Sequence, residues 1–123
     1  NNDDLKAWAL YRIGVSQQRL SRFAEADATF AQVEHKFPGT VATQRAKEHS
    51  GARAFYVQLA TFANAGLADR AIAELARQGV RAARTLNSRG QAIVRIGPVG
   101  SYRQAEYYRN QLERSYPDAL VLP

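Results

Sequence analysis

An amide, a guanidinium and a phenol are the side chains in this sequence best placed to meet a ligand. Along Phe55-Tyr56-Val57-Gln58-Leu59-Ala60-Thr61-Phe62, Tyr56 and Gln58 alternate with Val57 and Leu59. Along Gln91-Ala92-Ile93-Val94-Arg95-Ile96, Ile93 and Arg95 alternate with Val94 and Ile96. Side chains of a strand point to opposite faces in turn, so each segment offers one apolar face and one mixed face. Gln58 brings donors and an acceptor, and Arg95 brings a planar fork of donors. Tyr56 and Ile93 supply apolar surface beside them. This set hydrogen-bonds to an oxygen-rich or planar ligand. It is not equipped to make or break bonds.

The usual catalytic constellations are missing. There is no cysteine, which excludes a thiol nucleophile, thiolate metal sites and disulfides. His35 and His49 are separated by a Pro-Gly turn and have no third ligand in view, so they read as helix-surface residues and no metal or other cofactor is expected. Asp3/Asp4 and Glu25/Asp27 read as solvated helix positions or end charges. Glycoside cleavage requires two carboxylates flanking a cleft, and Asp69, Glu74, Glu106, Glu113 and Asp118 fall mostly on helix exteriors. No Gly-rich phosphate loop occurs. The chain reads as a binding protein and not as an enzyme.

Composition narrows the class of partner. At 123 residues the chain suits one ordinary domain or two small ones, and 46% hydrophobic content excludes wholesale disorder. No apolar run reaches the roughly 18 residues of a membrane span. With no methionine, the sequence is expected to be a processed chain or an excised fragment. The net charge of +6 is uneven. Residues 1–51 carry seven basic and six acidic side chains, whereas residues 52–123 carry ten arginines, no lysine and five acids. An arginine-only surplus suits an anionic or highly hydroxylated polymer, and equally a generally basic surface.

These side chains need elements to position them. Apolar residues fall at helical spacing from Leu5 through Trp8, Ala9, Ile13 and Leu20, and again from Phe23 through Ala26, Phe30, Val33 and Phe37. Ser21-Arg22 separates the two helices, Phe37-Pro38-Gly39 stops the second, and Thr40 is an N-cap for a third that runs to about His49. Ile13 and Phe30 are expected to be buried between the first two. The spacing resembles a tetratricopeptide repeat, with Ile13, Gly14, Ala26, Phe30 and Pro38 at signature positions and Leu10, Gln17 and Val33 departing from it.

After Ala54 the period changes from 3.6 to 2. A strand over residues 54–62 is followed by a turn at Asn64-Ala65-Gly66 and a helix through Leu67, Ala71, Ile72 and Leu75 that stops at Gly79. Residues 80–86 and 91–96 read as strands joined by the Asn87-Ser88-Arg89-Gly90 hairpin loop, with Gly97-Pro98 ending the second. Ser101 and Gln104 form a capping box for a helix that Pro117 terminates, and residues 119–122 make a final strand. The expectation is an α+β chain: helices over 1–51, then a βαββαβ ferredoxin-like sandwich over 52–123. Its four-stranded antiparallel sheet carries both helices on one face and leaves the other open.

The second half also resembles a known family. The segments Phe55-Tyr56-Val57-Gln58-Leu59-Ala60-Thr61-Phe62, Val94-Arg95-Ile96-Gly97-Pro98-Val99, Ala105-Glu106 and Tyr116-Pro117-Asp118-Ala119-Leu120-Val121 together resemble a SPOR domain, the sporulation-related repeat, over residues 52–122. Ala92 and Val99 stand where that family often has Tyr and Phe. The resemblance implies binding to bacterial peptidoglycan, through glycan strands stripped of their stem peptides, and targeting of a parent protein to the division septum or cell wall. It implies a periplasmic or cell-envelope location, with any membrane attachment outside this chain. It adds Thr61, at the end of its strand, to Tyr56, Gln58, Ile93 and Arg95 as expected glycan-contacting residues. Two other readings stay open: a protein-interaction module that works through the helices of 1–51, and RNA binding by the basic sheet. The second is opposed by the absence of paired aromatics in Ala92-Ile93-Val94-Arg95-Ile96.

Overall fold

The computed structural model describes residues 2–123. The chain divides into two compact units, one reaching to Arg53 and the other spanning Ala54–Leu122.

The first unit is three helices: α1 (Asn2–Arg19), α2 (Phe23–Lys36) and α3 (Val41–His49). Thr40 caps α3, its hydroxyl accepting the Thr43 N–H at 3.2 Å. The core is made of small side chains around one ring: Ala7, Ala26, Val33, Ala42 and Ala46 surround Phe30, all fully buried. Gly14 lets α1 and α2 approach closely, because a Cβ there would stand 2.5 Å from Phe30 Cε1. That contact sets the rotation of α1, which buries Ala7, Gly14 and Gln18. Ile13, one residue and about 100° of helix away from Gly14, is 51% exposed and is not a core residue. Leu5 on α1 and Leu20 just past its end are exposed as well.

Two polar residues of this unit hold the helices together. His49 is half-buried and is not a surface residue: its ring packs edge-on against Tyr11, with centroids 5.6 Å apart, and lies 6.0 Å from Phe30. The Gln18 amide donates to the His49 carbonyl at 2.6 Å. Asp27 is also more than a solvated helix charge. It accepts the Gly51 N–H at 2.8 Å and pairs with Arg53 at 2.8 Å, which fastens the end of the unit to α2.

The second unit runs β1 (Phe55–Phe62), α4 (Ala65–Arg77), β2 (Ala82–Leu86), β3 (Ala92–Val99), α5 (Tyr102–Gln111), β4 (Leu120–Leu122). The sheet order is β2-β3-β1-β4 with every pairing antiparallel, so the unit is the ferredoxin-like arrangement and the chain is α+β. Asn64 and Ser101 cap α4 and α5 by accepting the Leu67 and Gln104 N–H groups. Asn64 therefore starts a helix at Ala65 and is not the first residue of a longer turn. The buried layer under α4 and α5 comprises Phe55, Val57, Leu59, Ala92, Val94, Ile96 and Val99 from the strands, with Ala68, Leu75, Ala105 and Leu112 from the helices.

Two irregularities interrupt the pairing of β1 with β3. Between Phe55↔Val99 and Val57↔Ile96, β3 carries an extra residue at Gly97-Pro98, a cis peptide. The strand therefore does not end at Gly97-Pro98. It bulges there and continues to Val99. Between Gln58↔Arg95 and Ala60↔Val94, β1 carries the extra residue. A bulge shifts the alternation of side chains by one.

Candidate functional site

The candidate site is the sheet face opposite the helices. Its central row runs across all four strands. Ala83 pairs with Arg95, Arg95 with Gln58, and Gln58 with Leu120. Directly opposed residues of neighbouring strands share a face, so guanidinium and amide stand side by side with an alanine and a leucine flanking them. With strands about 4.8 Å apart, Arg95, Gln58 and Leu120 form a row roughly 10 Å long, on the order of a disaccharide.

The bulge in β1 brings in Thr61. Gln58 and Thr61 are three residues apart, and strict alternation would put them on opposite faces. The extra residue at Leu59-Ala60 restores Thr61 to the Gln58 side, opposite Ile93. Thr61 is exposed, whereas Tyr56, Gln58, Ile93 and Arg95 are half-buried. Tyr56 lies at the other end of the face, opposite Leu122, its ring against Gly97. A Cβ at position 97 would come within 2.9 Å of Tyr56 Cδ1 and 2.9 Å of the Phe55 carbonyl oxygen. The glycine of the Val-Arg-Ile-Gly-Pro segment thus makes room for this ring. All five residues expected from the sequence are on one face. Ala92 and Val99, the two departures from the family pattern, both point into the core and leave this face unaltered.

Polar groups on this face are unspent. Among the described residues, the side chains of Tyr56, Gln58, Thr61 and Arg95 make no hydrogen bond or ion pair within the protein. In the same unit Arg77, Arg84 and Arg109 pair with the carboxylates of Glu74, Asp69 and Glu106, whereas Arg95 pairs with none. Arg95 Nε is sealed from solvent and has no partner at all. Polar groups held in place without partners are ready to bond to something that arrives.

Beside the row lies a groove of about 420 Å³ lined by Gln58, Thr61, Ser115, Tyr116, Pro117 and Asp118, with Leu59 and Ala60 at its floor. It exists because β4 is only three residues long and pairs only with residues 56–58 of β1. Beyond Gln58 the next strand position is empty, and the loop after α5 forms the far wall. Ser115, Tyr116 and Asp118 are thus candidate contacts in addition to the expected five. The signal for them was the Tyr-Pro-Asp turn, but a turn's position beside a strand edge is a tertiary fact. No group of three or more His, Asp or Glu side chains is gathered to hold a metal among the described residues.

A model of the SPOR domain matches residues 51–123. The chain belongs to the SPOR domain family. SPOR domains are peptidoglycan-binding modules of cell-envelope proteins. The RlpA SPOR domain from Pseudomonas aeruginosa, known from a crystal structure, is similar at 21% identity with a TM-score of 0.44, over 56% of this chain and 97% of that one. No curated protein matches the chain. No helix among the described residues is long and apolar enough to cross a membrane.

Proposed function

We propose that the open sheet face of this SPOR domain binds the glycan strands of peptidoglycan, in the stretches stripped of stem peptides, and thereby brings a parent envelope protein to the division septum or cell wall from the periplasmic side. The observation that carries the reading is the set of four unpartnered polar side chains, Tyr56, Gln58, Thr61 and Arg95, held among Ile93, Leu120 and Leu122 beside an open groove. Amino sugars present polar edges and apolar faces, and this surface offers the complement to both. Binding requires no catalytic group, and the chain is read as non-enzymatic.

Co-sedimentation with purified sacculi, before and after an amidase removes stem peptides, tests this. Lost hydrogen bonds cost about 0.5–1.5 kcal/mol each, so Gln58→Ala with Arg95→Ala weakens binding roughly ten- to a hundredfold while the far-ultraviolet circular dichroism stays that of the parent. Parent-like retention of the folded double variant would move the site off this face. Salt separates the glycan reading from RNA: a ligand that releases one or few counterions loses little affinity with ionic strength, whereas RNA loses it steeply. A second role, docking of an envelope protein on the helices of residues 1–51, is favoured by the exposure of Leu5 and Ile13 on α1 and of Leu20 just past its end.

A further inference from the structure

We propose that Arg95 reads the free lactyl carboxylate of N-acetylmuramic acid, and that this one contact makes the site prefer strands whose stem peptides have been removed. The inference rests on the glycan reading above and assigns its selectivity to a single side chain.

The argument starts from chemistry. In intact peptidoglycan the lactyl group of each muramic acid is joined to the stem peptide through a neutral amide. Hydrolysis of that amide leaves a carboxylate on the sugar. A stripped strand is therefore an anion with one charge per disaccharide, and a site that selects it gains by placing a cation where the lactyl group falls.

Arg95 is the cation in that place. It stands in the central row, between Gln58 and Ala83. The alanine leaves the space above β2 open. None of the strand residues on the face, Tyr56, Gln58, Thr61, Ala83, Thr85, Ile93, Leu120 and Leu122, is a carboxylate, and Asp118 lies in the groove on the far side of Gln58 from Arg95. Among the described residues Arg95 is half-buried and without an acidic partner, whereas Arg70, Arg81, Arg89, Arg103 and Arg114, the other arginines of this unit outside an ion pair, are exposed. Its Nε is sealed, so the two terminal nitrogens are the edge a ligand can reach. They form a fork that donates to both oxygens of a carboxylate at once, a geometry that an amide cannot match. The half-buried setting shields the pair from salt better than a surface contact would.

Soluble glycan strands released by an amidase are the probe. One portion keeps its lactyl carboxylates, and the other is coupled to ammonia with a carbodiimide, which converts them to primary amides. By calorimetry the parent binds the carboxylate form about ten- to a hundredfold tighter than the amide form, the range for hydrogen bonds to a charged group. Arg95→Gln binds both forms equally, near the parent's affinity for the amide form. Gln58→Ala weakens both and keeps the ratio. Arg70→Gln, which removes the same charge from exposed α4, also keeps the ratio and excludes a general charge effect. Equal binding of the two forms by the parent, or persistent discrimination by Arg95→Gln, overturns the inference and leaves the glycan reading standing. Binding of neither form by the parent overturns the glycan reading and this inference with it.

Discussion

Replacing Gly97 with alanine joins stability and binding in one perturbation. Gly97 has φ of +130°, a backbone conformation that side-chain-bearing residues rarely adopt. Holding alanine there costs about 1–3 kcal/mol. The added Cβ would also stand 2.9 Å from the Phe55 carbonyl oxygen, 2.9 Å from Tyr56 Cδ1 and 3.3 Å from Tyr56 Cα. The ring can swing away, but the carbonyl belongs to β1 and cannot move without disturbing its pairing with β3. Overpacking of this kind costs about 1–3 kcal/mol more. Gly97→Ala is therefore expected to lose about 2–6 kcal/mol, a large share of the roughly 5–15 kcal/mol that a domain possesses. It should also weaken glycan binding in the fraction that remains folded, because Tyr56 is pushed from its place on the face. Urea unfolding followed by far-ultraviolet circular dichroism measures the first effect and sacculus co-sedimentation the second. Gly100→Ala is the control: an added Cβ meets nothing within 4 Å there, and its effect should stay within about 0.5 kcal/mol. If the two variants unfold at the same urea concentration, the account of the β3 bulge and of Tyr56 resting on Gly97 is wrong.

In the helical unit, Phe30→Ala should cost about 3–5 kcal/mol, because the ring is fully buried. Ile13→Ala on the exposed face of α1 should cost less than about 1 kcal/mol, and equal losses in thermal melts would contradict the observed rotation of α1. Burial pushes the His49 imidazole below its ordinary 6.5, so the unfolded chain takes up the proton first. The resulting stabilisation is complete above about pH 6.5 and is lost as pH falls through the lowered value. Tm should therefore drop between pH 7.5 and pH 5, and His49→Gln should flatten that drop. Asp27, held below 3.8 chiefly by the Gly51 N–H, acts only in a more acidic range. Tyr56→Phe should retain more glycan affinity than Tyr56→Ala if the ring's apolar face carries the contact, and equal losses in co-sedimentation would assign it to the hydroxyl.

The elements themselves were legible in the residues. Helix α2 spans Phe23–Lys36, as the alanine-rich periodicity and the Phe37-Pro38-Gly39 stop require. Thr40 and Ser101 cap the helices that their sequence contexts announce. The change of period near Ala54 marks the passage from helices to strands, and the alternation of Val57 and Leu59 with Tyr56 and Gln58 separates core from open face. These features are local, carried by backbone geometry and side-chain type within a few residues. The rotation of α1 was less accessible. Apolar spacing alone allowed Ile13 to be buried, but the ring of Phe30 against Gly14 chose a face on which small residues and the amide of Gln18 are inside.

The site divides in the same way. Its amide, guanidinium and phenol, and the faces of Gln58 and Arg95, follow from the sequence, because alternation within a strand needs no partner. That Thr61 shares their face depends on an extra residue between Gln58 and Ala60, which exists only as a mismatch between β1 and β3. The groove beside them depends on β4 being too short to cover the far end of β1, and on the loop after α5 closing the gap. Sequence determines what each side chain can offer and the face its own strand turns it toward. Register and strand length decide which of them meet, because both are relations between segments far apart in the chain.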